Sequence, residues 1–175
     1  VILLGLGSNI PRAGLASPRE TCEAALAALE ARGVRVAARS RWWLTAPVPA
    51  SDQPWFCNGV ARVETGLGPS ELLALMHAIE DEFGRVRRVR NEARVIDLDL
   101  LAHGGAVLDG RAGPVLPHPV LPHPRLHERA FVLFPLAEVA PGWRHPATGR
   151  TAAEMAAEMA AAPPPGQEAA PIPDA

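Results

Sequence analysis

The ten residues 85–94 (RVRRVRNEAR) hold five arginines, and Asp97-Leu98-Asp99 follows after Val95 and Ile96. Guanidinium groups present planar donors that match phosphate oxygens. Two carboxylates one residue apart on a strand project from one face. There they repel, and a cation between them relieves the repulsion. Mg²⁺ suits such a pair because it takes carboxylate and phosphate oxygens together. The combination predicts a polyphosphate site with a divalent metal at Asp97 and Asp99. A lysine-based phosphate loop is excluded, because all 17 basic residues are arginine and GxxxxGK[ST] is absent. Residues 84–93 show no periodicity and read as a charged loop, expected to close over a nucleotide.

Other residues add detail. Phe56 and Asn58 lie two apart on a predicted strand, so an aromatic plate sits beside an amide. That pairing can hold a flat heterocycle by stacking and edge hydrogen bonds, although a core Phe and a turn Asn are the plainer reading. Gly7-Ser8-Asn9 closes the first apolar run, where glycine permits close backbone approach and asparagine both donates and accepts. His118, His123 and His127 stand among prolines without zinc-like spacing. Trp42, Trp43 and Trp55 read as packing residues, and Cys22 and Cys57 as buried thiols outside any CxxC arrangement.

The elements that must position these residues follow from pattern. Residues 1–6 read as a central strand. Ser17, Pro18 and Glu20 form a capping box with proline at N1, opening a helix to about Arg32 that Gly33 stops. Residues 34–45 and 56–65 read as two antiparallel strands. Residues 70–83 form an amphipathic helix with Leu72, Leu73, Met76, Ile79 and Phe83 along its apolar stripe. Residues 95–102 are a strand, 126–134 a short helix ending near Pro135, 136–141 irregular chain, and 151–161 an alanine-rich helix. The order β-α-β-β-α-β with a helical C-terminal extension predicts a ferredoxin-like α/β (α+β) sandwich with a mixed, mainly antiparallel sheet. Helices on one face would leave the other open to ligands. One domain over 1–162 is expected, and 163–175, rich in proline and alanine, reads as a frayed tail.

Composition narrows the function classes. At a net charge of -2 there is no bulk cationic signal, so neither nucleic acid nor membrane is an expected partner. RNA binders share this element order but expose aromatics and broad basic surface, whereas here the positive charge is local. No run approaches the ~20 apolar residues that span a bilayer. The opening VILLGLGSN lacks the basic region of a secretory signal, so a soluble cytoplasmic protein is expected.

Taken together, the chain resembles the 6-hydroxymethyl-7,8-dihydropterin pyrophosphokinase family of folate biosynthesis. The resemblance rests on GSN at 7–9, TAPV at 45–48, QPWFCNGVARVET at 53–65 and IEDEFGRVR at 79–87. RVIDLDL at 94–100 and LPHPRLHERAFVLFPLAEVAP at 121–141 complete it. It implies a ferredoxin-like core that binds ATP with two Mg²⁺ and moves pyrophosphate onto the pterin hydroxymethyl, releasing AMP. It implies that Asp97 and Asp99 ligate metal and that Arg85, Arg87 and Arg94 serve catalysis and the triphosphate. His123 and Arg129 resemble nucleotide-side residues, with His118 as a rival to His123. Phe56 and Phe131 resemble the two aromatics that sandwich the pterin, with Thr45, Pro47, Val48 and Asn58 reading its edge. Asn9 and Glu80 would support the site. The resemblance implies small-molecule substrates and a monomer or weak homo-oligomer. Where the family often has a loop tryptophan and a proline before the second arginine, this chain has Asn91 and Ala93. Pro124 follows the motif histidine in place of a tyrosine.

Overall fold

A computed structural model of the protein describes residues 1–84, 93–111 and 117–173. The chain runs β1 (Ile2–Ser8), α1 (Pro18–Ala31), β2 (Arg35–Arg39), β3 (Trp43–Thr45), β4 (Phe56–Glu64), α2 (Pro69–Glu82) and β5 (Asp97–His103). It continues through β6 (Leu108–Asp109), β7 (Val120–Leu121), a 3-10 turn (Leu126–Glu128), α3 (Ala130–Val139), α4 (Ala152–Ala161) and β8 (Ala169–Pro171). The main sheet has the order β5-β1-β4-β3-β8, and β2 joins it by pairing with β4. Its pairings are antiparallel. With β2 and β3 as two halves of one strand, this is the expected β-α-β-β-α-β sandwich.

Side-chain alternation divides the molecule into two cores. Leu4, Leu6, Cys57, Ala61, Val63, Leu98 and Leu100 pack with Cys22, Ala25 and Leu29 of α1 and with Leu72, Met76 and Ile79 of α2. Leu3, Val60 and Leu101 pack on the opposite face with Val132, Leu133 and Leu136 of α3 and Met155 of α4. The second face is therefore covered at one end by α3 and α4, where the sequence predicted it bare. Past Leu3, the residues of β1 on that face are Gly5 and Gly7, so the uncovered end has a floor of backbone.

The opening of α1 follows the capping prediction. Ser17 Oγ accepts from the Glu20 N–H (3.2 Å), while the Glu20 carboxylate accepts from Ala16 N–H (2.7 Å), one residue before the box position. Cys22 and Cys57 are both free and buried.

Several expected boundaries move. Gly7 and Ser8 belong to β1, which they were expected to end. The strand expected over 34–45 is two strands, because residues 40–42 oppose only 59–60 between the pairs Arg39↔Ala61 and Trp43↔Asn58. This extra residue is a bulge. Ser40 satisfies it by donating its N–H to the Val60 carbonyl and accepting the Val60 N–H on Oγ, both at 2.9 Å. The bulge turns the buried Trp42 ring over Gly59, the one residue of β4 that leaves room for it.

Helix α3 does not end near Pro135 but continues through it to Val139. Proline removes one helix bond, yet Pro135 and Leu136 are both buried, and this packing holds the helix. The segment expected to fray contains β8, which pairs with β3 from Trp43↔Pro171 to Thr45↔Ala169. Ile172 then packs on the first core and donates its N–H to the Trp42 carbonyl (2.7 Å).

A Cβ on residue 59 would lie 2.6 Å from the Trp42 ring, which is 2% exposed and has little space to move. Gly59→Ala is therefore expected to lower the unfolding free energy by about 1–3 kcal/mol. A urea titration checks this as a lower midpoint at unchanged slope.

Candidate active site

The uncovered end of the second sheet face is an open cleft of about 800 Å³, mouth included. Its floor is Gly5 and Gly7, one wall carries Asp97 and Asp99, and Arg94 and Arg129 stand at its edge. Phe56, Asn58, Thr45, Val48 and Phe131 complete the lining. Segments distant in sequence therefore meet in one cleft. Pro47 is buried and lies outside the lining, while its neighbour Ala46 is part of it. Arg85 and Arg87, together with the rest of 85–92, fall outside the described residues.

The two carboxylates are placed by β5. Asp97 pairs with Gly7 and Asp99 with Gly5, while Leu98 between them is anchored in the first core. Glu80, fully buried on α2, accepts the Leu98 N–H at 3.0 Å. This bond fixes the strand between the aspartates from the helix side.

Asn9 ties three segments together. Its Oδ1 accepts the Arg94 N–H (2.7 Å), and its Nδ2 donates to Gln53 Oε1 (3.0 Å) and the Pro54 carbonyl (2.9 Å). Its own N–H donates to the Arg94 carbonyl (3.0 Å). At 3% exposure these bonds are well shielded from water, and they set the backbone of Arg94 against the end of β1.

Across the cleft, Asn58 Nδ2 donates to Thr45 Oγ1 at 2.6 Å. The Thr45 hydroxyl proton is thereby free to donate elsewhere. A Cβ on residue 7 would lie 2.5 Å from Asn58 Oδ1, so Gly7 is what lets that amide lie over the sheet. Phe56 starts β4 and Phe131 sits in the first turn of α3, so the two aromatics approach the cleft from different layers. The Arg129 guanidinium lies 5.3 Å from the centre of the Phe131 ring, a cation–π distance. Burial lowers the Arg129 pKa, and Asp99 opposes that shift.

A second cleft lies behind the aspartates and shares them. His77 of α2, His118 and His123 line it with Asp97 and Asp99. Both motif histidines thus reach the same space. Burial first, and then the Arg129 charge, lower the pKa of His123 to about 4. Its ring is neutral near pH 7, with Nδ1 accepting the Arg125 N–H at 3.3 Å. The proton then resides on Nε2, which can donate to a phosphate oxygen. Gln53 and His77 were missed as site residues in the sequence. Gln53 lies inside a quoted motif but was given no role, and His77 carries no signal beyond its place on an amphipathic helix.

Asp97 and Asp99 supply two hard oxygen donor groups on one face. Among the described residues no cluster of three or more His, Cys, Asp or Glu could enclose a metal. Two carboxylates without further ligands suit Mg²⁺, which completes its shell with phosphate oxygens and water. They do not suit zinc, which takes several nitrogen or sulfur ligands.

The family model for 7,8-dihydro-6-hydroxymethylpterin-pyrophosphokinase matches residues 3–141. The chain belongs to this family. A Pseudomonas aeruginosa 2-amino-4-hydroxy-6-hydroxymethyldihydropteridine pyrophosphokinase is 43% identical over 157 residues, 89% of this chain and 90% of that protein. The Methylorubrum extorquens protein of the same name is 46% identical over 141 residues, 79% of this chain and 81% of its own. Among solved structures, Plasmodium falciparum HPPK-DHPS superposes with a TM-score of 0.71 at 14% identity, which is a likeness of fold. The match covers 91% of this chain and 43% of that one, so the chain spans less than half its length.

The depressed His123 pKa has a measurable consequence. The folded ring binds a proton less readily than the unfolded one, so its contribution to stability is present above about pH 6.5 and is lost as pH falls toward about 4. His123→Gln is expected to flatten that acid limb, and urea midpoints taken at about pH 7 and about pH 4.5 check it. An equally steep fall in the variant would refute the assignment.

Proposed function

We propose that the chain moves the pyrophosphoryl group of ATP onto the hydroxymethyl oxygen of 6-hydroxymethyl-7,8-dihydropterin, with AMP as leaving group. This is the reaction of its family in folate biosynthesis. The observation that carries the site assignment is that Asp97 and Asp99 form the wall common to two clefts. One cleft is lined by Phe56, Phe131 and Asn58, and the other by histidines. A flat pterin fits the first and a nucleotide the second, so the transferred group would lie over the carboxylates.

Phe56 and Phe131 would hold the pterin ring by stacking, while Asn58 and the Thr45 hydroxyl meet its polar edge. The Arg129 guanidinium lies beside Phe131 and would set a positive charge near the bound pterin. The hydroxymethyl oxygen would attack the β-phosphorus, and the bond to the α-phosphate oxygen would break to release AMP. Arg94 and Arg129, placed at the cleft edge, would meet the phosphate oxygens as their charge shifts. Neutral His123 would donate from Nε2 without adding a proton that could be lost. Asp97 and Asp99 would hold Mg²⁺, two ions on the family reading, which when bound offsets phosphate charge and polarises the phosphorus. Positioning and electrostatics account for such transfers without a side-chain base.

AMP release from ATP and the pterin, with and without Mg²⁺, tests the proposal. Asp97→Asn and Asp99→Asn are each expected to lower turnover by about 100-fold or more. Their far-ultraviolet circular dichroism should match the parent chain. Normal turnover in either variant would overturn the metal assignment, and no AMP from the parent chain would overturn the reaction.

A further inference from the structure

The C-terminal segment reaches the site at a point no motif includes. Helix α3 starts at Ala130 without a side-chain cap from Arg129. Its first N–H instead donates to Gln167 Oε1 at 2.9 Å, and Gln167 Nε2 donates to the Glu128 carbonyl at 3.2 Å. One side-chain amide thus grips the peptide groups on both sides of Arg129. The next residue, Glu168, accepts the Ala46 N–H on its carbonyl at 2.9 Å, and β8 then pairs along β3 to Thr45. Ala46 and Thr45 form one wall of the first cleft, and Arg129 and Phe131 stand on another. Residues 167–171 therefore tie the two walls together, and they lie outside the 3–141 span of the family match.

We infer that Gln167 is a positioning residue for the transfer reaction: by clamping Glu128 and Ala130 it sets Arg129 and Phe131 against the pterin. An orphan N–H at a helix start needs an acceptor, and here that acceptor also donates back to the preceding turn. Loss of the clamp frees the backbone between them, and with it the direction in which Arg129 and Phe131 point. Gln167 is itself half-exposed and bonds to backbone at the start of α3, so its loss should leave both cores intact.

The inference rests on the proposed reaction, and its test separates the two. Gln167→Met keeps the side-chain length but makes neither bond, whereas Gln167→Glu keeps an acceptor for Ala130. The methionine variant, which loses both bonds, should raise the KM for 6-hydroxymethyl-7,8-dihydropterin about fivefold or more. The thermal midpoint should stay close to that of the parent chain. Hydrogen exchange at the Ala130 amide should speed up in the methionine variant. The glutamate variant keeps the Ala130 bond but not the one to the Glu128 carbonyl, so it should restore the exchange and give a KM between parent and methionine. A pterin KM within twofold of the parent, unchanged Ala130 exchange, or a glutamate variant as impaired as methionine would overturn the inference. A parent chain that releases no AMP would instead sink the reaction itself.

Discussion

Two carboxylates held side by side on one face of β5 repel each other, and the surrounding structure resists that repulsion. Asp97 and Asp99 cannot move apart because Leu98 between them is anchored in the first core and its N–H is bonded to buried Glu80. Gly5 and Gly7, paired opposite them, carry no side chain and leave the space beside the carboxylates open. The guanidinium groups of Arg94 and Arg129 share the same cleft and offset part of the charge. Anionic oxygens with cations close by are the arrangement the proposed transfer would use, and the fold supplies it before any ligand arrives.

The rest of the cleft depends on bonds between segments remote in sequence. Asn9 joins the end of β1 to Arg94 and to the loop at Gln53 and Pro54, so three walls share one buried amide. Asn58 and Thr45 do the same across the β3–β4 pair. Gln167 repeats the device from the C-terminal end. Asn9 and Gln167 each both donate and accept through one side-chain amide, which fixes orientation as well as distance. Surface ion pairs such as Arg35–Glu64 are exposed and contribute little by comparison.

Most core elements were legible because their patterns are local. The apolar stripe of α2, the Ser17 cap and the alternation of β5 each express a period that a short window contains. The carboxylate pair and the Phe56–Asn58 pair were legible for the same reason, since residues two apart on a strand share a face. The bulge at 40–42 was not, because it arises from Trp42 turning over Gly59, a residue 17 positions further along the chain. Pro135 misled because a proline is read as a helix stop, whereas here its ring is buried in a helix that packing sustains.

The amino-acid sequence by itself determined the element order, the pair of carboxylates on one face of the DLD strand, and the Phe56–Asn58 pair on the neighbouring strand. Each follows from residue type and short spacing. Tertiary structure alone decided that α3 and α4 cover one end of the ligand face and that the C-terminal segment becomes a sheet strand. It also decided that Asp97 and Asp99 serve two clefts at once. Those outcomes depend on which remote surfaces exclude water together and which orphan N–H meets which carbonyl, and neither quantity is carried by a local pattern.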